Sequence, residues 1–429
     1  MSIDTAISTA QGQQEGGRFY EHRLANGLQL LGQYMPEVQS ASTCFYVRTG
    51  ARDEEPALNG VSHFLEHMTF KGTPTRSYED INRAFEEMGA ENNAGTGHEF
   101  TYFYAKVLRE YVPGLIDLLA DMMRPRLDAA DFEQERHVIL EEIARYEDMP
   151  RAKIGNYLME HYFAPTGLSR PVLGTTETIS AMTVEAMRAY WQRRYGANNM
   201  LFAIAGNFDW EAIRAQVEEL CGDWTTGETG RVPIDVRPEP KLYVYTRPDL
   251  QQQLVDIAFP GVSYSDPDRY AAEVLGTILG DSTGSRLYWQ VQEAGLAEGV
   301  GGDFMAMDGT GLLYVAASLQ PAKTKKALVA IAEVVRQLQH GPISEDELRR
   351  AKTKLLSRLV MSGESTNSRM LNLCGSWLSI GKLETLEEEA AQIDAVTLDD
   401  LYRLRERVPL DAYQVTVALG PVSEQEVVE

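Results

Sequence analysis

Apolar and polar positions change period several times along the chain, and each change marks an element. Glu21 to Leu31 reads as strand, Asn26-Gly27 turn, strand, and Ser42 to Arg48 continues in β style. From Ser62 to Phe70 and from Tyr78 to Met88 the apolar spacing becomes helical, with Gly89 placed to end the second helix. Thr101 to Val107 alternates like a strand. Helical stretches follow over Val112 to Met123, Asp128 to Asp148 and Val184 to Tyr195, and Met200 to Gly206 returns to β. Between Trp224 and Pro240 the apolar period disappears into Gly, Thr, Pro and charge, which predicts a linker over 225–240. The pattern then restarts. Leu254 to Phe259 reads as a strand, Asp268 to Leu279 and Leu287 to Ala294 as helices, and Gly311 to Ser318 as a strand. Helices over Ala322 to Leu338 and Ser344 to Met361 and a last strand over Tyr413 to Leu419 complete the series.

The order of elements therefore repeats, which predicts duplication of one α+β unit. The expected division is a flexible segment 1–19, a first domain 20–224, the linker 225–240 and a second domain 241–429. Length agrees, because 429 residues exceed what a single core usually supports.

Charge narrows the function classes. Forty basic residues against 63 acidic ones give a net charge of −23, which argues against nucleic-acid or anionic-membrane binding and would steer basic ligands toward the protein. Three cysteines, Cys44, Cys221 and Cys374, are odd in number and far apart, so free buried thiols are expected rather than disulfides or a zinc-cysteine site. The first twenty residues lack both the apolar core of a signal peptide and an Arg-rich import pattern, and no apolar run is long enough to span a bilayer. A cytoplasmic protein is expected, or a periplasmic one whose signal has been removed.

His63-Phe64-Leu65-Glu66-His67 carries the chemistry. Positions four apart on a helix lie one turn above each other, so His63 and His67 can present both imidazoles to one tetrahedral ion. Glu66 projects near the same face, as a base for the water to be activated. A hydrolase zinc site normally has three protein ligands, so a carboxylate from another helix is needed. The amphipathic stretch Phe132 to Ile143 offers several. Glu135 and Glu142 stand seven apart on one face, Glu141 lies about 100° from Glu142, and Val138 and Leu140 suggest that part of this helix is buried. One of the pair Glu135 and Glu142 could bind metal while the other orients a histidine.

The run Gly60 to Thr73, with His63-Phe64-Leu65-Glu66-His67 followed by Met68-Thr69-Phe70-Lys71-Gly72-Thr73, resembles the signature of the pitrilysin-type, inverted-zincin peptidases (family M16). The likeness is greatest to the branch of mitochondrial processing peptidase and its bacterial relatives. It continues through Asn93 to Thr96, Glu99 to Ala105, Glu135 to Glu142 and Arg170 to Thr175.

What the resemblance implies is specific. The fold would be α+β, two homologous α/β-sandwich halves with mostly antiparallel sheets, enclosing a cavity. His63, His67 and Glu142 would hold one Zn2+ per chain, Glu66 would be the catalytic base, and Glu135 would be the accessory acidic residue. Asn93 and Ala94 would bind an extended peptide that adds to a strand edge. The activity would be zinc-dependent endoproteolysis of short or unfolded peptides, with no second zinc site in the metal-free second half.

The resemblance also has a gap. Active single-chain members often carry an arginine and a tyrosine seven apart in a segment ending Gly-Leu-Ala-Tyr. Here Val291-Gln292-Glu293-Ala294-Gly295-Leu296-Ala297-Glu298 puts glutamine near the arginine place and Glu298 at the tyrosine place. Losing an oxyanion donor costs roughly 10²–10³ in turnover. A homodimeric or heterodimeric partner of the same family is therefore expected to complete the site. Two rival classes stand beside this one: a zinc hydrolase for a small substrate, and a zinc-bearing structural or assembly subunit of a peptidase-like heterodimer.

Overall fold

The computed structural model describes residues 13–14, 17–234 and 236–428. Of the expected N-terminal segment 1–19, residues 1–12, 15 and 16 lie outside the described residues, whereas 17–19 already belong to a strand. The described residues form twelve strands: β1 (Gln13–Gln14), β2 (Gly17–Arg23), β3 (Gln29–Tyr34), β4 (Ser40–Val47), β5 (Glu91–Thr96), β6 (Thr101–Leu108), β7 (Met200–Gly206), β8 (Lys241–Thr246), β9 (Gln253–Pro260), β10 (Gly299–Met307), β11 (Thr310–Leu319) and β12 (Val415–Gly420). They form a seven-stranded sheet, β1-β2-β3-β7-β4-β6-β5, and a five-stranded sheet, β10-β11-β9-β12-β8.

Both sheets are mixed and mostly antiparallel. In the first, only β3 and β7 run parallel; in the second, only β8 and β12 do. Reading from the parallel pair outward, β3-β7-β4-β6-β5 and β8-β12-β9-β11-β10 share one order, one set of strand directions and one chain sequence. The fold is α+β in two halves, and the repeated topology is the structural form of the repeated sequence pattern.

The chain divides into two compact units. One comprises 1–140, 172–231 and 362–383; the other comprises 141–171, 232–361 and 384–429. These units differ from the contiguous halves 20–224 and 241–429 by two exchanged segments. The reason lies in the central strands. All seven residues of β7 and seven of eight in β4 are buried, so both faces of the first sheet must be covered. One face receives the helix Thr366–Ile380 from the far end of the chain, whose Met370, Leu373 and Cys374 pack on Leu31, Cys44, Leu201 and Ala203. A buried hydrogen bond from Ser42 Oγ to Thr366 Oγ1 (2.8 Å) fixes the start of that helix.

The second unit does the same in reverse. Its sheet is covered on one face by helices Arg269–Gly280 and Thr324–His340, packed on Val255, Ile257, Phe259 and Val315. Helix Pro150–Phe163 covers the other, with Ile154, Leu158 and Tyr162 against Leu254, Ala258 and Val417. Tyr157 stacks on Tyr245 and His161 on Tyr243, at 3.9 and 3.6 Å between ring centroids.

Three local expectations change. Leu287 to Ala294 was expected as an ordinary helix, but Tyr288–Gln292 is a wide π turn in which Glu293 N bonds the Tyr288 carbonyl, five residues back. Val138, expected to be buried, is exposed, and the buried stripe of its helix is Phe132, Glu135, Ile139 and Ile143. The described residues of the 225–240 stretch belong to no helix or strand, yet its first part is tied down. Arg231 Nε and Nη2 reach the Asp53 carboxylate at 2.9 Å. Cys44, Cys221 and Cys374 are free and buried.

Candidate metal centre

The motif lies on helix α1 (Val61–Thr69), and the chain before it determines how that helix starts. Gly60 adopts φ +93°, and a Cβ there would sit 2.7 Å from both the Leu173 carbonyl and the Ile179 side chain, so glycine is required. Buried Glu54 then serves as an external cap, accepting from Gly60 N (2.7 Å), Ser62 N (2.8 Å) and Asn59 Nδ2 (2.8 Å). Burial raises the Glu54 carboxyl pKa above its ordinary value, although these bonds oppose the shift. A second anchor runs from Ser62 Oγ to Tyr190 OH (2.8 Å) and on to Thr49 Oγ1 (2.7 Å). Sequence reasoning did not find Glu54, because an acidic residue seven before a helix carries no local signal.

Continuing along the chain, α2 is Tyr78–Glu87, α3 is Val112–Met122 and α4 is Ala129–Glu147. Phe64 of α1 stacks on Phe132 of α4 with ring centroids 4.5 Å apart and planes 12° apart. Three residues further on each helix, His67 Nδ1 meets Glu135 Oε1 at 2.9 Å. An ionised carboxylate only accepts, so Nδ1 carries the proton and Nε2 keeps its lone pair for a ligand role. Glu135 is buried, and Lys71 Nζ lies 2.5 Å from its other oxygen. Burial alone would raise the Glu135 pKa, but the bonds to His67 and Lys71 outweigh it and hold the group below its ordinary value.

α4 is one continuous helix through residue 140, so its own geometry carries Glu142 two turns on from Glu135. Ligand atoms of His63, His67 and Glu142 all lie within 4.8 Å of one another, the one such group of three among the described residues. Glu141 is exposed, on a different side of the helix. Burial, reinforced by the neighbouring His67, lowers the His63 pKa to about 3, so the ring is neutral and able to donate its lone pair at physiological pH. Two imidazoles and one carboxylate match a three-ligand zinc site with an open fourth position. In a tetrahedral site, bonds of about 2.0–2.2 Å separate the ligand atoms by roughly 3.3–3.6 Å, inside the 4.8 Å limit within which these three atoms lie. The residues therefore fit zinc.

Glu66 stands on the same helix and accepts a 2.6 Å hydrogen bond from Thr96 Oγ1 at the end of β5. β5 is the edge of its sheet, paired within it to β6 alone, with Asn93 exposed and Ala94 half-buried. His98, just past the end of β5, is half-buried, and burial lowers its pKa to about 4. Arg286 forms a bidentate pair with Glu347, Nε to Oε1 at 2.7 Å. Glu298 bonds Gln252, and the Gln292 side-chain oxygen accepts from Val300 N at 3.4 Å.

Known proteins resemble this chain in sequence and in fold. Residues 30–176 match the model described as Insulinase (Peptidase family M16), and residues 181–355 match that of the Peptidase M16 inactive domain. The chain belongs to the M16 peptidase family. Among its M16 relatives, an uncharacterized zinc protease of Mycobacterium tuberculosis is 34% identical over 407 residues, covering 93% of this chain and 92% of the relative. The zinc protease YmxG of Bacillus subtilis is 31% identical, covering 91% and 96%. Solved structures share the M16 fold at lower identity. A protease from Helicobacter pylori superposes with a TM-score of 0.86 at 19% identity, covering 94% of this chain and 99% of that one. A chain of complex III2 from Candida albicans does so with 0.82 at 19%, covering 94% and 96%. As an M16 metallopeptidase, the protein falls among hydrolases of the zinc protease type, and no described helix is long and apolar enough to cross a membrane.

Proposed function

We propose that this M16 chain is a zinc-dependent endopeptidase of the processing-peptidase branch that cleaves short or unfolded peptides. His63, His67 and Glu142 hold one zinc and Glu66 is the general base. The observation that carries this reading is the bond from Thr96, at the end of an edge strand, to Glu66, which stands beside a three-ligand donor set. A zinc ion held there would polarise the scissile carbonyl and acidify water. An extended peptide adds to β5 by main-chain hydrogen bonds around Asn93 and Ala94. Thr96 holds the Glu66 carboxylate in one rotamer, so its geometry is set before substrate arrives. Glu66 takes the proton of the attacking water and returns it to the departing amine nitrogen. The acidic chain favours basic peptides through long-range steering. Hydrolysis of unstructured peptides by the zinc-loaded protein, with products identified by mass, tests the reading; intact peptides at full zinc occupancy overturn it.

Glu135 is a positioning residue in this scheme, because it orients His67 without being a ligand. Glu135→Gln is expected to weaken zinc binding about 10–100-fold. Competition against a chromophoric chelator measures this, and an unchanged affinity removes Glu135 from the role.

A second reading rests on the segment ending at Glu298, where glutamine and glutamate stand in place of an arginine and a tyrosine. In it a related M16 subunit completes the oxyanion side, and the isolated chain is slow. Its extreme form is a zinc-bearing assembly subunit, a role that the likeness to a complex III2 chain makes worth testing. Robust turnover by a demonstrated monomer excludes both forms; activation by a second, related chain supports the first.

A further inference from the structure

Resting on the peptidase reading, we infer that an aromatic platform beside the edge strand selects the peptide. Phe100, Tyr102 and Tyr104 follow one another on the same face of β6 and its approach, with ring centroids 6.0 and 5.9 Å apart, and Tyr46 joins them at 5.2 Å from Phe100. All but Tyr46 are partly exposed. Opposite Tyr102 in the register stands Gly95 of β5. A Cβ on Gly95 would meet the Tyr102 ring tip at 2.9 Å, and one on Gly97 would meet the Phe100 ring at 3.2 Å. Neither glycine has the positive φ that would make it a conformational necessity. Glycine inside a strand is destabilising relative to alanine, so its use here needs another reason. Where no side chain stands on the edge strand, the ring behind it can reach forward toward the strand's open edge.

Alternation then links the platform to the chemistry. Thr96, next to Gly95, points to the opposite face and bonds Glu66. An added peptide strand sends successive side chains to these two faces in turn. Those on the Thr96 face lie toward the base; those on the Tyr102 face meet an apolar ring surface. The peptide class is thus one with a bulky aromatic or aliphatic side chain at alternating positions near the cleaved bond. Tyr102 sets that preference.

The competing explanation is that the rings only stabilise glycines of an edge strand. Peptides identical except for Phe, Leu or Ala at successive positions distinguish the two, assayed with wild type, Tyr102→Ala and Tyr102→Phe. Wild type is expected to favour Phe and Leu over Ala about tenfold in kcat/KM at one alternating set of positions, the scale of a single aromatic contact. Tyr102→Ala should bring the ratio to within about twofold, and Tyr102→Phe should keep it. A ratio unchanged in Tyr102→Ala, with only the melting temperature lowered, overturns the inference. Binding of the same peptides to the zinc-loaded protein, followed by fluorescence anisotropy, separates the two levels. Tyr102-dependent preference in binding without any cleavage sinks the peptidase reading and leaves the platform standing. Absence of both binding and cleavage sinks both.

Discussion

Replacing Glu66 with glutamine is expected to lower peptide turnover by about 10²–10⁴-fold while leaving one zinc per chain in place. The size follows from the role: an amide of the same shape still accepts the bond from Thr96 but has no basicity at neutral pH, so the attacking water keeps its proton. Zinc should stay because the donor set consists of His63, His67 and Glu142, and Glu66 is not among them. The check pairs metal analysis with kcat on an unstructured peptide, wild type and variant side by side. Equal kcat values at equal zinc content would remove Glu66 as the base. Loss of zinc in the variant would mean that Glu66 helps to hold the metal.

The second large effect concerns the third ligand. Dialysis against a strong chelator should abolish hydrolysis, and one equivalent of zinc per chain should restore it. Glu142→Gln is expected to reduce zinc affinity beyond the roughly 10–100-fold range typical of residues that only support a ligand. His67→Ala should do the same. Glu141→Gln is the control: its side chain is exposed and should retain both zinc and activity. Zinc lost from Glu141→Gln but kept by Glu142→Gln would move the ligand assignment by one residue. Folding should be insensitive to the metal, because each unit has an apolar core of its own, so the far-ultraviolet circular dichroism of the stripped protein serves as the internal check.

Much of the candidate centre is legible in sequence because it is local. His63, Glu66 and His67 lie within five residues of one helix, and Glu135 and Glu142 lie within eight of another, so helical periodicity alone predicts which of them share a face. The residues that sequence reasoning left without a role are those that act across the fold. Thr96 comes thirty residues after the base it binds, Glu54 caps a helix that begins seven residues later, and Lys71 reaches a glutamate sixty-four positions away. Hydroxyls, carboxylates and amines at such distances have no periodicity to betray them.

By itself the sequence determined that the chain is a duplicated α+β protein with one histidine-rich helix able to present two imidazoles and a carboxylate. These are consequences of apolar period and short-range spacing. That the central strands β4 and β7 are buried on both faces is known only from the structure. Only the tertiary structure decided what covers the second face. Helices Pro150–Phe163 and Thr366–Ile380 each pack in the unit whose sheet comes from the other end of the chain, and no local pattern distinguishes that choice, since an apolar helix face fits either sheet equally well. Tertiary structure likewise decided the orientation of His67. Its proton sits toward Glu135 because two phenylalanine rings, one turn away, hold α1 and α4 at stacking distance.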